Sequence, residues 1–139
     1  MKKIAVLMML AGSLMAAEPT WLHNLDEAKA QARREHKLIF CDLWTGWCGW
    51  CIKLQKDTFP SPEAKEVLDK MVAVSIMTQD RAGTPTADSG LERSYKVTGF
   101  PTLLVLDAEG RELERQPGYL PPTQFREWLT GVLRKHDKR

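Results

Sequence analysis

The chain has 139 residues, of which 43% are hydrophobic and 27% charged, and both fractions are ordinary for a soluble globular protein. This length suits one domain with a single substantial core, and the composition argues against disorder. The formal net charge of +2 is matched by the two lysines at positions 2 and 3, so residues 18–139 are formally neutral. A near-neutral protein has no electrostatic basis for binding nucleic acid or an anionic membrane surface, and we exclude both.

The first 17 residues have the pattern of a secretory signal peptide. Two lysines give a positive start, a short apolar stretch follows, and small residues end it at Ala16 and Ala17. The apolar stretch is short for a membrane span, although an uncleaved membrane anchor is the alternative. We therefore predict a signal peptide over 1–17 and a single exported domain over 18–139. The expected location is the periplasm or another oxidising compartment outside the cytoplasm.

Helices and strands alternate in the first half of the predicted domain. Apolar residues recur near helical spacing from Trp21 to Lys37, which predicts a helix with Asn24 or Asp26 as its cap. The apolar run from Leu38 to Leu43, interrupted only by Asp42, predicts a buried central strand. The next predicted elements are helices over 47–56 and 63–70 and a strand over 71–77.

The second half predicts a hairpin and a final helix. A polar loop over 78–89 and a short helix over 91–96 precede an apolar strand over 102–106. A turn over 107–110, with glycine placed for a positive φ, connects this strand to an edge strand over 111–116. The last helix begins at the two prolines 121 and 122, and its predicted apolar face comprises Phe125, Trp128, Leu129, Val132 and Leu133. The order predicts an α/β fold with a mixed sheet of about four strands flanked by helices.

The segment Trp47-Cys48-Gly49-Trp50-Cys51 holds two cysteines at positions i and i+3. On a helix these positions share a face, so the two sulfur atoms can meet. At a helix start, unpaired backbone N–H groups favour the thiolate of Cys48, the species that attacks disulfides. The second cysteine, Cys51, can then resolve the mixed disulfide. The motif makes thiol–disulfide exchange the leading hypothesis.

The remaining candidate ligands do not form a metal site in the sequence. Cys41 is the third cysteine, and an odd number with two in one CxxC argues against a disulfide scaffold. A zinc site usually needs four ligands, and the sequence has no second CxxC and no paired histidines. His23, His36 and His136 are therefore predicted to be solvated helix residues. We interpret Cys41 as a buried, inert thiol, with a third redox-active sulfur or an intermolecular link as the alternatives.

Two motifs together resemble the thioredoxin superfamily. The stretch from Asp42 to Cys51 is similar to the active-site strand and loop of thioredoxin, and Val97-Thr98-Gly99-Phe100-Pro101-Thr102 is similar to its cis-proline loop. The element order from Leu38 onward also matches, and the pattern most resembles small exported thioredoxin-like proteins of bacteria. The resemblance implies a thioredoxin-like fold, here with an extra N-terminal helix in place of thioredoxin's first strand.

The resemblance also implies roles for site residues. Cys48 matches the attacking cysteine, Cys51 the resolving cysteine, and Asp42 the buried carboxylate that accepts the proton of Cys51. An acid within an apolar strand should have a raised pKa, and a solvated or capping Asp42 is the alternative. The set expected to contact substrate comprises Trp47, Gly49, Trp50, Phe100 and Pro101. Pro101 matches the cis-proline, and the backbone at Phe100 is expected to pair with an extended substrate chain.

The sequence therefore predicts an exported thiol–disulfide oxidoreductase acting on protein substrates, with the reductase direction favoured. The dithiol is the redox centre, so no metal or organic cofactor is expected. A membrane protein that relays thiols is the expected electron donor, and we expect a monomer. The alternative is a binding module that grips clients, or a soft metal such as copper(I), through Cys48 and Cys51 without turnover.

Overall fold

A computed structural model describes residues 19–137, and the predicted leader lies outside them. No helix within these residues is long and apolar enough to span a membrane. The elements, in chain order, are β1 (Trp21–Leu22), α1 (Leu25–Glu35), β2 (Ile39–Thr45), α2 (Gly49–Lys53), α3 (Pro62–Leu68), β3 (Val72–Gln79), α4 (Gly90–Ser94), β4 (Thr102–Leu106), β5 (Glu112–Pro117) and α5 (Pro122–His136). A π-helical turn, Leu54–Thr58, directly continues α2.

The strands form one mixed sheet in the order β1-β3-β2-β4-β5. β2 is central: it runs parallel to β3 and antiparallel to β4, which pairs in turn with β5 as a hairpin. β4 is buried along its whole length, and β2 is buried at every position except Trp44. The apolar runs over 38–43 and 102–106 therefore correspond to the buried strands β2 and β4. This confirms the predicted α/β fold with a mixed sheet.

The N-terminal region differs from the prediction, because the sheet has five strands rather than four. Trp21 and Leu22 form the edge strand β1, which runs parallel to β3, and so a strand precedes the first helix. α1 begins at Leu25, where the side chain of Asn24 caps it by accepting the backbone N–H of Glu27 at 2.9 Å. The helical spacing of apolar residues extends to Trp21, but pairing with the open edge of β3 places the first two residues in the sheet.

Two apolar cores cover the two faces of the sheet. Under α1, the small residues Ala28 and Ala32 pack on Ile39, Cys41 and Leu43 of β2. On the other face, α3, α5 and the π-helical turn pack against a core with four aromatic side chains at its centre. Their closest ring pairs are Trp21–Phe59 at 4.7 Å and Phe40–Phe125 at 5.3 Å between centroids. The side chains of β2 therefore alternate between the two faces, with Phe40 in this core and Ile39, Cys41 and Leu43 in the other.

The second helix is shorter and less regular than predicted. The α-helical part ends at Lys53, and the chain continues as a π-helical turn in which the backbone N–H of Phe59 donates to the carbonyl of Leu54 at 3.0 Å. Such turns insert one extra residue into a helix, which rotates the residues that follow. Leu54 and Thr58, the first and last residues of this turn, are both buried.

The loop after β2 lies so close to the end of β3 that residue 46 must be glycine. The N–H of Gly46 donates to the carbonyl of Gln79 at 2.9 Å. A Cβ atom on Gly46 would lie 2.6 Å from the backbone nitrogen of Arg81 and 2.9 Å from the carbonyl carbon of Asp80. Backbone atoms cannot rotate away from such a contact, so this close approach fixes the loop that leads into α2.

Two glycine-to-alanine substitutions should change stability in opposite directions. Gly46→Ala should lower the free energy of unfolding by about 1–3 kcal/mol, because the added methyl group forces the backbone apart. Gly131→Ala, in α5, should raise it by about 0.5–1 kcal/mol, because within residues 19–137 nothing outside the adjacent residues and the helix's own backbone lies within 4 Å of the new Cβ. Urea unfolding of the oxidised protein followed by tryptophan fluorescence measures both. If Gly46→Ala matched or exceeded the wild-type stability, the close approach would not be a packing constraint.

Candidate active site

Cys48 and Cys51 form a disulfide at the start of α2, with their Cα atoms 5.2 Å apart. Cys48 is the N-cap residue of this helix, and its Sγ accepts the backbone N–H of Cys51 at 3.1 Å. The N–H of Cys48 itself donates to the carbonyl of Thr45 at 3.3 Å. A backbone donor aimed at Sγ stabilises a negative charge there once the disulfide is reduced.

The two sulfur-bearing residues differ in access. The relative exposure of Cys48 is 6%, whereas that of Cys51 is 1%. An incoming sulfur atom therefore reaches Cys48 first, and Cys51 is confined to the interior side of the pair. This difference favours Cys48 as the attacking cysteine and Cys51 as the resolving one, and both roles stay predictions.

Aromatic side chains flank the disulfide on two sides. Trp47 is 51% exposed, donates from Nε1 to Oε1 of Gln79 at 3.0 Å, and meets the ring of Phe100 edge-on with centroids 5.9 Å apart. Trp50 is 59% exposed and packs on Tyr119 with centroids 5.6 Å apart. The sequence predicted a role for Trp47, Trp50 and Phe100. It did not single out Tyr119, which comes from the connection between β5 and α5. Exposed aromatic rings held in place by such contacts are suited to binding another protein.

The loop at 99–101 lies at the same end of the sheet as the disulfide. Thr102, the first residue of β4, pairs with Leu43 near the end of β2, and the Trp47–Phe100 contact joins the two loops. The Phe100–Pro101 peptide bond is cis, Pro101 is buried, and its carbonyl accepts the N–H of Gly118 at 2.9 Å. The structure thus brings the residues of the two sequence motifs into one surface. Their contact with substrate stays a prediction.

A groove next to Cys48 opens between this surface and the end of β3. Its volume is about 800 Å³. The residues that line it are Trp44, Gly46, Trp47, Cys48, Gly49, Ile52, Met77 and Arg81. Ile52 is 39% exposed, and Gly49 leaves open space above the helix start. The groove is mainly apolar with one cationic side chain. Trp44 is partly exposed and forms one wall of this groove.

Asp42 lies in the middle of β2, on the same face of the sheet as Phe40. Its relative exposure is 1%, and its neighbours across the sheet are Ser75 on β3 and Leu103 on β4. The hydroxyl of Ser75 donates to Oδ2 at 3.4 Å, and within the described part of the chain Oδ1 has no hydrogen-bond partner. Burial raises the pKa of Asp42 to about 7, and the hydrogen bond from Ser75 opposes this shift. A carboxyl group with this pKa can take up and release a proton near neutrality.

Cys41 is adjacent to Asp42 but faces the opposite core. It is fully buried and forms no disulfide. Burial, and secondly the neighbouring carboxylate of Asp42, raise the pKa of the Cys41 thiol far above its usual range. The thiol therefore stays protonated and unreactive, as its predicted place in the strand suggested.

The prediction of solvated helix positions fits His36, which is exposed at the C-cap of α1, but not His23 or His136. His23 precedes α1, and its Nδ1 lies 3.0 Å from the carbonyl oxygen of Ser75, while His136 lies 2.9 Å from Oε1 of Glu114. No group of three or more His, Cys, Asp or Glu side chains within residues 19–137 is placed to hold a metal ion.

The sequence did not single out Ser75, because only the pairing of β2 with β3 brings its hydroxyl to Asp42.

Known proteins resemble this chain in sequence. Disulfide bond reductase DsbH of Chlamydia pneumoniae is 36% identical over 115 residues, which cover 78% of this chain and 68% of that protein. Thiol:disulfide interchange protein DsbD of Cronobacter sakazakii is 34% identical over 113 residues, which cover 80% of this chain but 19% of that protein. The chain thus spans about a fifth of the length of this much longer relative.

Solved structures show the same relationship. The structure of a DsbH oxidoreductase superposes with a TM-score of 0.68 at 27% identity, covering 89% of this chain and 88% of that one. The C-terminal domain of Neisseria meningitidis DsbD in its oxidised form has a TM-score of 0.64 at 25% identity, covering 81% and 98%. Residues 25–133 match the family described as a thioredoxin-like domain. The chain therefore belongs to the thioredoxin-like family, which confirms the resemblance found in its sequence.

Proposed function

We propose that this protein is an exported thiol–disulfide oxidoreductase that reduces disulfides in protein substrates. The observation that carries the proposal is the Cys48–Cys51 disulfide at the start of α2, with Cys48 the more exposed of the two cysteines and Asp42 buried in the adjoining strand. The similarity to proteins named for disulfide reduction and thiol:disulfide interchange supports it. Export is supported by the signal-peptide pattern of residues 1–17.

The reaction proceeds in two exchange steps. The Cys48 thiolate attacks a disulfide of the client, so that a bond forms between Cys48 Sγ and one client sulfur while the other leaves as a thiolate. Cys51 Sγ then attacks Cys48 Sγ, its proton passes to Asp42, and the second client sulfur leaves. The client gains two electrons, and the protein ends as the Cys48–Cys51 disulfide. A dithiol donor, proposed to be a membrane protein that relays thiols, must then reduce it again.

The surface around Cys48 supports a polypeptide as the substrate. Two exposed indole rings, the side chain of Ile52 and the apolar groove surround the disulfide. Trp47, Gly49, Trp50, Phe100 and Pro101 are proposed to contact the client. Apolar and aromatic patches of this kind gain free energy by covering apolar client surface, without requiring a particular sequence.

Replacing Cys51 with serine should trap clients. Cys51→Ser leaves Cys48 free to attack but removes the sulfur that resolves the mixed disulfide, so covalent complexes should accumulate on Cys48. Non-reducing electrophoresis after expression with the leader intact, followed by mass spectrometry of the trapped partners, measures this. The Cys48→Ser/Cys51→Ser double variant is the control and should trap none. A soft-metal carrier would instead lose metal affinity in Cys51→Ser and trap no client.

The reduction potential of the cysteine pair tests the direction. Trp50 lacks an ionisable proton with which it could stabilise the Cys48 thiolate, and we expect a reducing couple with a potential near that of thioredoxin, about −270 mV. Equilibration of residues 18–139 with thiol–disulfide buffers, followed by alkylation and mass measurement, gives the value. A potential near −120 mV, typical of a strong oxidant, would make the protein a disulfide donor and contradict the reductase direction.

The ionisation of Asp42 predicts an unusual pH dependence of stability. Its folded pKa of about 7 lies above the unfolded value, so the folded state binds the extra proton and loses stability as pH rises from about 4 to 7. Asp42→Asn removes this loss and should be more stable than wild type by a few kcal/mol at pH 8, but by much less at pH 4. Urea unfolding of the oxidised proteins measures the difference. The exposed Asp57→Asn is the control, and a pH-independent effect of Asp42→Asn would contradict the buried-acid assignment.

A further inference from the structure

A second cavity lies on the side of the molecule formed by β1 and the π-helical turn. Its volume is about 340 Å³. The residues that line it are Pro19, Trp21, His23, Trp44, Gln55, Phe59, Pro60 and Ser75. His23 and Pro60 are exposed, so the cavity reaches the surface there. Among the residues that the structure describes, Trp44 alone lines both this cavity and the groove beside Cys48, so the two openings are separate.

Ser75 connects this cavity to the buried carboxyl group. Ser75 lines the cavity, its hydroxyl donates to Asp42 Oδ2 at 3.4 Å, and its carbonyl oxygen lies 3.0 Å from Nδ1 of His23, which also lines the cavity. A hydroxyl group has one donor hydrogen and two acceptor lone pairs. It can therefore donate to the carboxylate in one orientation and accept from the carboxylic acid in another.

Gln55 also lines this cavity, from the π-helical turn that continues the helix of the cysteine pair. Gln55 is partly buried. The cavity thus reaches Asp42 through Ser75, and its lining also includes the polar residues His23 and Gln55.

We propose that Ser75 is a positioning residue for Asp42 and that this cavity is the passage by which the proton from Cys51 reaches solvent. The inference rests on the proposed function. In the resolving step the bond between Cys51 Sγ and Cys48 Sγ forms, the bond from Cys48 to the client sulfur breaks, and the proton of Cys51 goes to Asp42. Ser75 passes this proton to the cavity, which restores the carboxylate before the next turnover.

The other titratable groups around Asp42 do not offer an equivalent route. Cys41 is adjacent on β2 but faces the opposite core, and β4 presents the apolar Leu103. Helix α2 contributes the cysteine pair itself, and the connection between β1 and α1 contributes His23 at the cavity mouth. The charged side chains of α2 and its π-helical continuation are all exposed: Lys53, Lys56 and Asp57.

Stopped-flow fluorescence can isolate the step in which this proton moves. The reduced protein is mixed with a peptide that carries an internal disulfide, and the fluorescence of the tryptophans beside the cysteines is followed at pH 5–9. Attack by Cys48 depends on peptide concentration, whereas resolution by Cys51 does not. In Ser75→Ala the pH midpoint of the resolution phase should move upward by about one unit, because the lost hydrogen bond favoured the carboxylate. Below the midpoint this corresponds to about tenfold slower resolution.

Three comparisons separate positioning from a general structural role. Ser75→Thr keeps the hydroxyl and should restore the wild-type profile, and Ser94→Ala, which removes a hydroxyl from α4, should leave it unchanged. In an Asp42→Asn background, Ser75→Ala should have no further effect on resolution, because the group that it positions is gone. The attack phase should be unaltered in Ser75→Ala, which reports an intact fold.

Two results would overturn the inference while leaving the proposed function standing. One is a Ser75→Ala profile that superimposes on that of wild type, and the other is equal slowing by Ser75→Ala with and without Asp42. Absence of both kinetic phases in the wild-type protein would overturn the proposed function itself, and this inference with it.

Discussion

A carboxyl group buried at the centre of the sheet is the constraint on which the rest of this structure depends. Asp42 is enclosed because β2 is paired on both sides and both faces of the sheet are covered. Ionising a carboxyl group in such surroundings is costly, and one hydrogen bond from Ser75 offsets only part of that cost. The sheet therefore moves the pKa of this group to the range in which proton transfer is useful, at a cost in stability above that pH.

The same strand also determines where the cysteine pair lies. β2 ends at Thr45, and the close approach of Gly46 to the backbone of residues 79–81 holds the loop that leads into α2. Cys48 then caps the helix with its own sulfur, and it is the more exposed of the two cysteines, while Cys51 is turned inward. Access to one sulfur and enclosure of the other follow from where the strand stops and the helix starts. This is a difference in position, since the two side chains are chemically identical.

The sequence predicts those parts of the molecule that depend on neighbours along the chain. The apolar run of β4 and the apolar face of α5 are recognisable from spacing alone, and so are Cys48 and Cys51. Asp42 was recognisable because an acid interrupts an apolar strand. The edge strand β1 was missed because its two residues gain their partners from β3, some fifty residues away. Ser75 and Tyr119 were missed for the same reason, since each acquires its partner only when distant segments pack.

The arrangement of the two openings has a physical rationale in the order of events. In the proposed reaction the client is covalently bound to Cys48 during resolution and covers the groove and the exposed indole rings. A proton released from Asp42 toward that surface would have to pass an interface from which water is excluded, where transfer to solvent is slow and unpaired charge is costly. The cavity at β1 lies outside this surface and borders Ser75. Electrons can thus be exchanged at one opening while the proton leaves through the other, and a large client does not block the step that releases it.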